Sequence, residues 1–161
     1  YVSQISKMPW LGFTSAWVMF DFPVASRTEG YMDSSDGERF VTNESRKYMN
    51  DKGLVTRDRQ TKKDVFYLYK SLWNNKETTV YITSRRLSSR PAGQVFSIKV
   101  YSNARSLSLY QNGKLVTKKT KSGEDTGVIW TFSGIRMKTN SDTFRVVANN
   151  GTMDEVTWSR R

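Results

Sequence analysis

The chain has 161 residues and a formal charge of +11, from 26 Lys+Arg against 15 Asp+Glu. It contains no cysteine and no histidine, which excludes disulfides, thiol nucleophiles, Cys-ligated zinc, any Ser-His-Asp triad and the commonest general base. Acid–base chemistry would fall to carboxylates, tyrosine or lysine.

In chain order, "YVSQISKMPW" opens in mid-stride without an initiator Met, which predicts a beginning further upstream. It does not read as a signal peptide, and no apolar run is long enough to cross a bilayer. Residues 1–8 look like the tail of a helix halted by Pro9, because proline cannot continue a helix interior. The next stretch, "SAWVMFDFPV", is apolar on both faces with a single acid, Asp21. Residues 12–22 therefore read as a strand covered on both sides, as in a parallel sheet or barrel. Such a strand needs parallel neighbours, each brought by a crossover of a dozen or more residues. The polar stretch from Pro23 to Gln60 supplies none, and loops of that length are usually functional or disordered.

A well-marked helix follows in "TKKDVFYLYKSLWN". Thr61 and Asp64 resemble a capping box, and Val65, Leu68, Tyr69, Leu72 and Trp73 recur at helical spacing. One helix tail, one strand and one helix do not close an α/β domain. This half reads as the last βα unit of a larger parallel fold. Near Asn74 the pattern changes. "TTVYIT", "QVFSIKVYS", "SLSLYQ", "KLVTKK", "GVIWTF", "DTFRVVAN" and "DEVTWS" are short, alternating and rich in β-branched and aromatic residues. Asn112-Gly113 and Asn150-Gly151 sit between pairs of them and predict type I′ hairpin turns. That spacing points to an immunoglobulin-like sandwich, here without its disulfide.

Read together in that order, "WVMFDF", "SRTEG", "NDKGLVTRDRQTKKDVFYLYKSLW", "IKVYSNA", "LYQNGK" and "DEVTW" resemble glycoside hydrolase family 2, the β-galactosidase family. The resemblance runs over essentially the whole chain and implies the family's C-terminal part. The expected fold class is mostly β: an Ig-like β-sandwich preceded by the last βα unit of a (β/α)8 barrel. Residues 1–75 would be the incomplete end of the catalytic barrel and residues 76–161 the Ig-like domain.

The resemblance also implies a parent that hydrolyses terminal β-galactosides with retention, using two glutamates roughly 5 Å apart. In the family both precede this segment. The chain has Glu29, Glu38, Glu44, Glu77, Glu124 and Glu155, and none matches a catalytic position. Asn43-Glu44 imitates the acid/base dipeptide but falls in the polar loop. No catalytic residue is assigned, and the chain alone is expected to be inactive. Trp17 aligns with the tryptophan under the sugar ring; the alternative is a packed core residue. Asp51-Lys52-Gly53 occupies the loop where relatives hold a sodium ion beside the galactose 6-hydroxyl. Lys52 stands at the position of an Asn ligand, so an ammonium replaces the ion there, or Lys52 is a surface lysine. Arg27 and Glu29 match a loop pair, Asp21 reads as a hydrogen-bonded buried acid, and the sequons at Asn43 and Asn150 are weak signals.

No cofactor and no metal is implied. The expected partners are a β-galactoside in the intact parent and the remainder of the catalytic barrel, with no nucleic acid and no membrane span. A periplasmic or secreted location follows if the parent acts on external glycans. Two rivals stay open: an accessory Ig-like module that binds carbohydrate or protein, and a basic nucleic-acid binder with steep salt dependence. The basic residues are spread through "RDRQTKK", "SRRLSSR" and "KLVTKKTK", which favours solvated surface charge over the second rival.

Overall fold

The computed structural model describes residue 8, residues 10–24, 49–123 and 127–161, and the backbone of residues 31–32 and 40–41. The chain divides into two compact units, residues 1–63 and 64–161.

Among the described residues, the first unit holds short pairings. β1 (Phe22–Pro23) lies antiparallel to β4 (Met49–Asn50), and β2 (Tyr31–Met32) to β3 (Phe40–Val41). The helix tail expected at the N-terminus lies outside the described residues, apart from Met8. The long strand expected over residues 12–22 does not form. Its end is β1, and Phe20 makes one parallel bridge to Val55. A strand exists through its ladder of backbone hydrogen bonds, and an apolar run brings no partner by itself. Trp10, Phe13 and Trp17 are accordingly 76%, 85% and 75% exposed.

The second unit begins with α1 (Asp64–Trp73). The expected capping box is absent. Thr61 instead donates its N–H to Thr56 Oγ1 at 3.0 Å. The Asp64 carboxylate accepts from the Tyr81 hydroxyl at 2.6 Å and the Ser84 N–H at 2.7 Å. The acid at the helix start thus binds a strand and a loop rather than closing its own first turn. Tyr67 stacks on Tyr81 with ring centroids 3.7 Å apart, and the Arg85 guanidinium lies 4.4 Å from the Tyr81 ring centroid. These contacts pin the helix to the strands that follow.

Those strands are β5 (Val80–Ile82), β6 (Ser89–Arg90), β7 (Phe96–Ser102), β8 (Ser106–Gln111), β9 (Lys114–Thr120), β10 (Ile129–Ile135), β11 (Ser141–Ala148) and β12 (Met153–Arg160). They form a three-stranded sheet, β10-β7-β5, and a five-stranded sheet, β6-β12-β11-β8-β9. All seven expected strands are present. β6 is an addition, paired in parallel with β12. Alternation explains the core: Ile98 and Val100 of β7 and Phe132 of β10 meet Leu107, Leu109, Phe144, Val146 and Trp158 of the other sheet. Phe144 lies 5.4 Å from Trp158, and Phe96 presents its edge to each at 6.0 Å. The chain is mostly β, and its second half is a sandwich.

The two Asn-Gly turns differ. Asn112 and Gly113 both have positive φ, 52° and 77°, as a type I′ turn requires. At the other, only Gly151 does, at 87°, and its N–H closes a turn to Ala148 O at 3.0 Å. A tight turn followed by one left-handed glycine replaces the expected I′ geometry.

Candidate functional site

The site expected from Trp17 and Lys52 lies in the first unit, where two distant segments are stitched together. Leu54 N–H donates to Val18 O, Val55 N–H to Met19 O and Asp21 N–H to Val55 O, each at 3.0 Å. The strand that seemed to lack neighbours therefore has a short parallel one at residues 54–55. Asp21 is buried at the middle of this seam. Its Oδ1 accepts the Gly53 N–H at 2.8 Å and the Lys63 ammonium at 2.7 Å. Lys63 Nζ also donates to Asp51 O at 2.6 Å. Asp21 is thus a hydrogen-bonded buried acid, neutralised by a cation and holding the loop beside it.

Gly53 is required by close approach. A Cβ built there would lie 2.3 Å from Asp21 N and 2.5 Å from the Phe20 carbonyl carbon, both backbone atoms. Asn50 shapes the rest of the loop, its Oδ1 accepting the Lys52 N–H at 3.0 Å. Below it, the 56–61 turn is closed by Asp58, which accepts from Thr56 Oγ1 at 2.6 Å and Gln60 N–H at 3.0 Å. The Thr56 hydroxyl, then the Gln60 amide, hold the Asp58 carboxyl below its ordinary pKa. Arg59, at φ 64°, lays its guanidinium 4.6 Å from the Phe20 ring centroid.

Trp17 sits next to the seam. Its neighbour Val18 accepts the Leu54 N–H, and the Trp17–Val18 peptide is cis. The indole meets Phe22 edge-on at 6.4 Å and is otherwise open. Lys52 is exposed. Both expected residues are therefore exposed, Trp17 next to the seam and Lys52 in the loop that Asp21 holds. The sequence did not reveal Lys63 or Gly53 as the clamp, because each meets Asp21 across a wide stretch of chain and carries no local signature.

Arg27, Glu29 and Asn43-Glu44 lie outside the described residues, as do Glu38 and Glu124. Glu77 and Glu155 belong to the second unit, at 3.6 Å from Lys70 and 2.6 Å from Arg145 respectively. Among the described residues no group of three acidic side chains is placed to hold a metal ion, and no helix is long and apolar enough to cross a membrane.

No protein-family profile matches the chain. It is 32% identical over 155 residues to a β-glucuronidase of Bacteroides fragilis, covering 95% of this chain and 20% of that protein. The chain is similar to one fifth of a glycosidase. Among solved structures, an FMN-binding β-glucuronidase from F. prausnitzii L2-6 superposes with a TM-score of 0.79 at 31% identity, over 99% of this chain and 21% of that one. A candidate β-galactosidase of Bacteroides fragilis gives 0.67 at 28% identity, over 89% and 19%. A Bacteroides uniformis β-glucuronidase, at 22% identity and a TM-score of 0.75, shares the fold. The relatives are glycoside hydrolases, and the chain spans about a fifth of their length.

Proposed function

We propose that the chain is the C-terminal segment of a family 2 glycoside hydrolase. Residues 1–75 complete the end of its catalytic barrel, and residues 76–161 are the Ig-like domain that follows in the chain. The parent removes a terminal β-linked sugar with retention of configuration. This segment lends it Trp17 as a platform for the sugar ring and Lys52 as a polar contact, while both catalytic glutamates come from elsewhere in the parent. The exposed aromatics of residues 10–17 support this reading, since apolar groups left open in one piece are what a larger barrel would cover.

The observation that carries the site is the Asp21–Gly53–Lys63 clamp. It holds the Lys52 loop against the residue next to Trp17 and spends an otherwise costly buried charge on positioning. For the sugar, a β-glucuronide suits Lys52 better than the β-galactoside expected from sequence. The two differ most at C6, a carboxylate in one and a hydroxyl in the other, and an ammonium gains far more from the carboxylate. The names of the relatives favour the same choice.

The test is kinetic, on the full-length parent. Lys52→Met should lower kcat/KM on an aryl β-glucuronide by about thirtyfold or more, the cost of leaving a buried carboxylate unpaired. On the matching β-galactoside it should change kcat/KM by less than about threefold. Trp17→Ala should impair both. Equal losses on both substrates with Lys52→Met would return that residue to the surface, and hydrolysis by the pure 161-residue chain would overturn the segment reading.

A further inference from the structure

We propose that the outer face of the five-stranded sheet carries a binding site for a neutral glycan, one whose sugars keep vicinal hydroxyls. The register of three strands builds it. Arg145 of β11 is the partner of Tyr110 in β8 and of Glu155 in β12, so the three residues form one row across the sheet. Leu109, Phe144, Val146 and Trp158 of the same strands are buried in the core, and alternation sends the row to the opposite face. Neighbouring strands lie about 4.8 Å apart, which makes the row about 10 Å long, enough for a short stretch of sugar chain.

A depression of about 390 Å³ is lined by this row, by Thr143 and Val147, and by the Asn112-Gly113 turn. Its size falls within the range of small-ligand sites. Asn112 shapes one end: its amide donates to Asp142 Oδ1 at 2.7 Å and accepts the Thr143 N–H at 2.8 Å. Gly113 leaves that end open, since a Cβ there would meet nothing within 4 Å.

The chemistry of the wall selects the ligand. Arg145 Nε donates to Glu155 Oε2 at 2.6 Å. That bond does not use the two Nη groups or the second carboxylate oxygen, so donors and an acceptor stand side by side on two planar groups. A vicinal diol is their complement: one hydroxyl donates to the carboxylate while its neighbour accepts from the guanidinium. Thr143, whose hydroxyl meets that of Thr157 at 2.9 Å, extends the polar wall. Tyr110 and Val147 supply apolar surface for the C–H groups of the sugar rings.

Charge argues for a neutral ligand. Residues 64–161 hold 16 Lys+Arg and 7 Asp+Glu, a net of +9. Among the described residues, this wall holds one cation and one anion, and they are bound to each other. A polyanion gains little from a paired wall, whereas an uncharged sugar meets donors and acceptors that the sheet already holds in place.

The experiment titrates the isotope-labelled 161-residue chain with neutral glucose oligomers, and with polygalacturonate as the charged competitor, and reads amide shifts by NMR. Internal sugars of cellohexaose keep a vicinal diol; in laminarihexaose the linkage breaks it. Cellohexaose should bind about fivefold or more tighter, the worth of one hydrogen-bonded contact. It should shift the amides of Tyr110, Thr143, Arg145 and Glu155 and leave those of β7 in place, with an affinity that salt does not change. Tyr110→Ala and Arg145→Met should each weaken binding about tenfold, one by losing an aromatic face and the other by losing donors. Met153→Ser, exposed on the same face outside the pocket lining, should cost less than about twofold. Laminarihexaose binding as tightly as cellohexaose would overturn the proposal. So would losses in Tyr110→Ala and Arg145→Met no larger than that in Met153→Ser, or a preference for polygalacturonate that fades with salt. Amide shifts in this row that follow protein concentration alone would mark a contact between two copies and overturn it equally. The site shares no residue with Trp17 or Lys52 and does not rest on the reading of either. Lys52→Met should leave this titration unchanged, so a failure here is distinct from a failure in the parent's kinetics.

Discussion

The two units solve the problem of stability differently. The sandwich of residues 64–161 buries its own core, with Phe132, Phe144 and Trp158 fully enclosed between two sheets. Among the described residues of 1–63, the contacts are a few backbone hydrogen bonds, a buried acid and a lysine, while the two tryptophans stay largely open. The sandwich is held by apolar area; the other unit is held by polar geometry. Apolar burial is proportional to area and forgiving of detail. A buried carboxylate is stabilising only while its partners stay in place. The contrast predicts which unit tolerates small changes of geometry and which one does not.

The largest effect that sharpens this contrast comes from aromatic truncation. Phe144→Ala opens a cavity in the sandwich core and should cost about 3–5 kcal/mol, read as a shifted midpoint in urea unfolding followed by circular dichroism. Trp17→Ala removes a ring of comparable bulk that is mostly in solvent and should change stability by less than about 0.5 kcal/mol. Similar costs for the two variants would mean that Trp17 belongs to a core after all.

The second effect breaks the polar clamp alone. Lys63→Met keeps the length of the side chain and removes the charge, leaving Asp21 buried with the Gly53 N–H as its remaining partner here. Losing one member of a buried pair costs roughly 3–5 kcal/mol, and the partial exposure of Lys63 reduces this to about 2–3 kcal/mol. The damage should be local. Amide exchange at Gly53, Leu54 and Val55 should accelerate, while that of the β7, β8 and β11 amides stays unchanged. Unchanged exchange at those three amides would show that the clamp is decorative.

The same contrast decides how much was legible in the sequence. The sandwich strands could be read because most of them alternate, and a period of two reports burial on one face directly; β9, exposed along its length, was read from its β-branched residues and the Asn-Gly turn before it. β6 could not, since two residues in parallel with a remote strand leave no pattern. Residues 12–22 were read as a continuous strand because apolar character on both faces implies neighbours, and among the described residues Leu54, Val55 and the short β4 supply them. Thr61 and Asp64 had the spacing of a capping box, but Tyr81 and Ser84 captured the carboxylate. Trp17 and Lys52 were singled out through resemblance, and the structure leaves both exposed. Gly53 and Lys63 were not, because the contacts that give them their roles cross the chain at 32 and 42 residues from Asp21.

The smallest effect tests whether the sandwich, too, keeps one polar device. Asp142 is fully buried. It accepts from Gln111 Nε2 at 2.7 Å, Asn112 Nδ2 at 2.7 Å, Thr139 Oγ1 at 2.6 Å and the Lys138 N–H at 2.5 Å. Burial pushes its carboxyl up, but the hydrogen bonds from Thr139, Lys138, Asn112 and Gln111 together outweigh it and hold the group at about 2. The folded value lies below the unfolded one, so the folded state binds protons less readily. The associated stability is fully present above about pH 4 and is lost as the pH falls from there through about 2. Its size is roughly 1–2 kcal/mol once some solvent screening is allowed for. Urea midpoints of the wild type should therefore drop more steeply between pH 4 and pH 2 than those of Asp142→Asn, in which no carboxyl titrates at this position. At neutral pH that variant should already be weaker, because its amide replaces one acceptor oxygen with an NH2 donor facing other donors. Parallel acid limbs for the two proteins would mean that Asp142 titrates alike in the folded and unfolded chain, and that the sandwich stands on its apolar core alone.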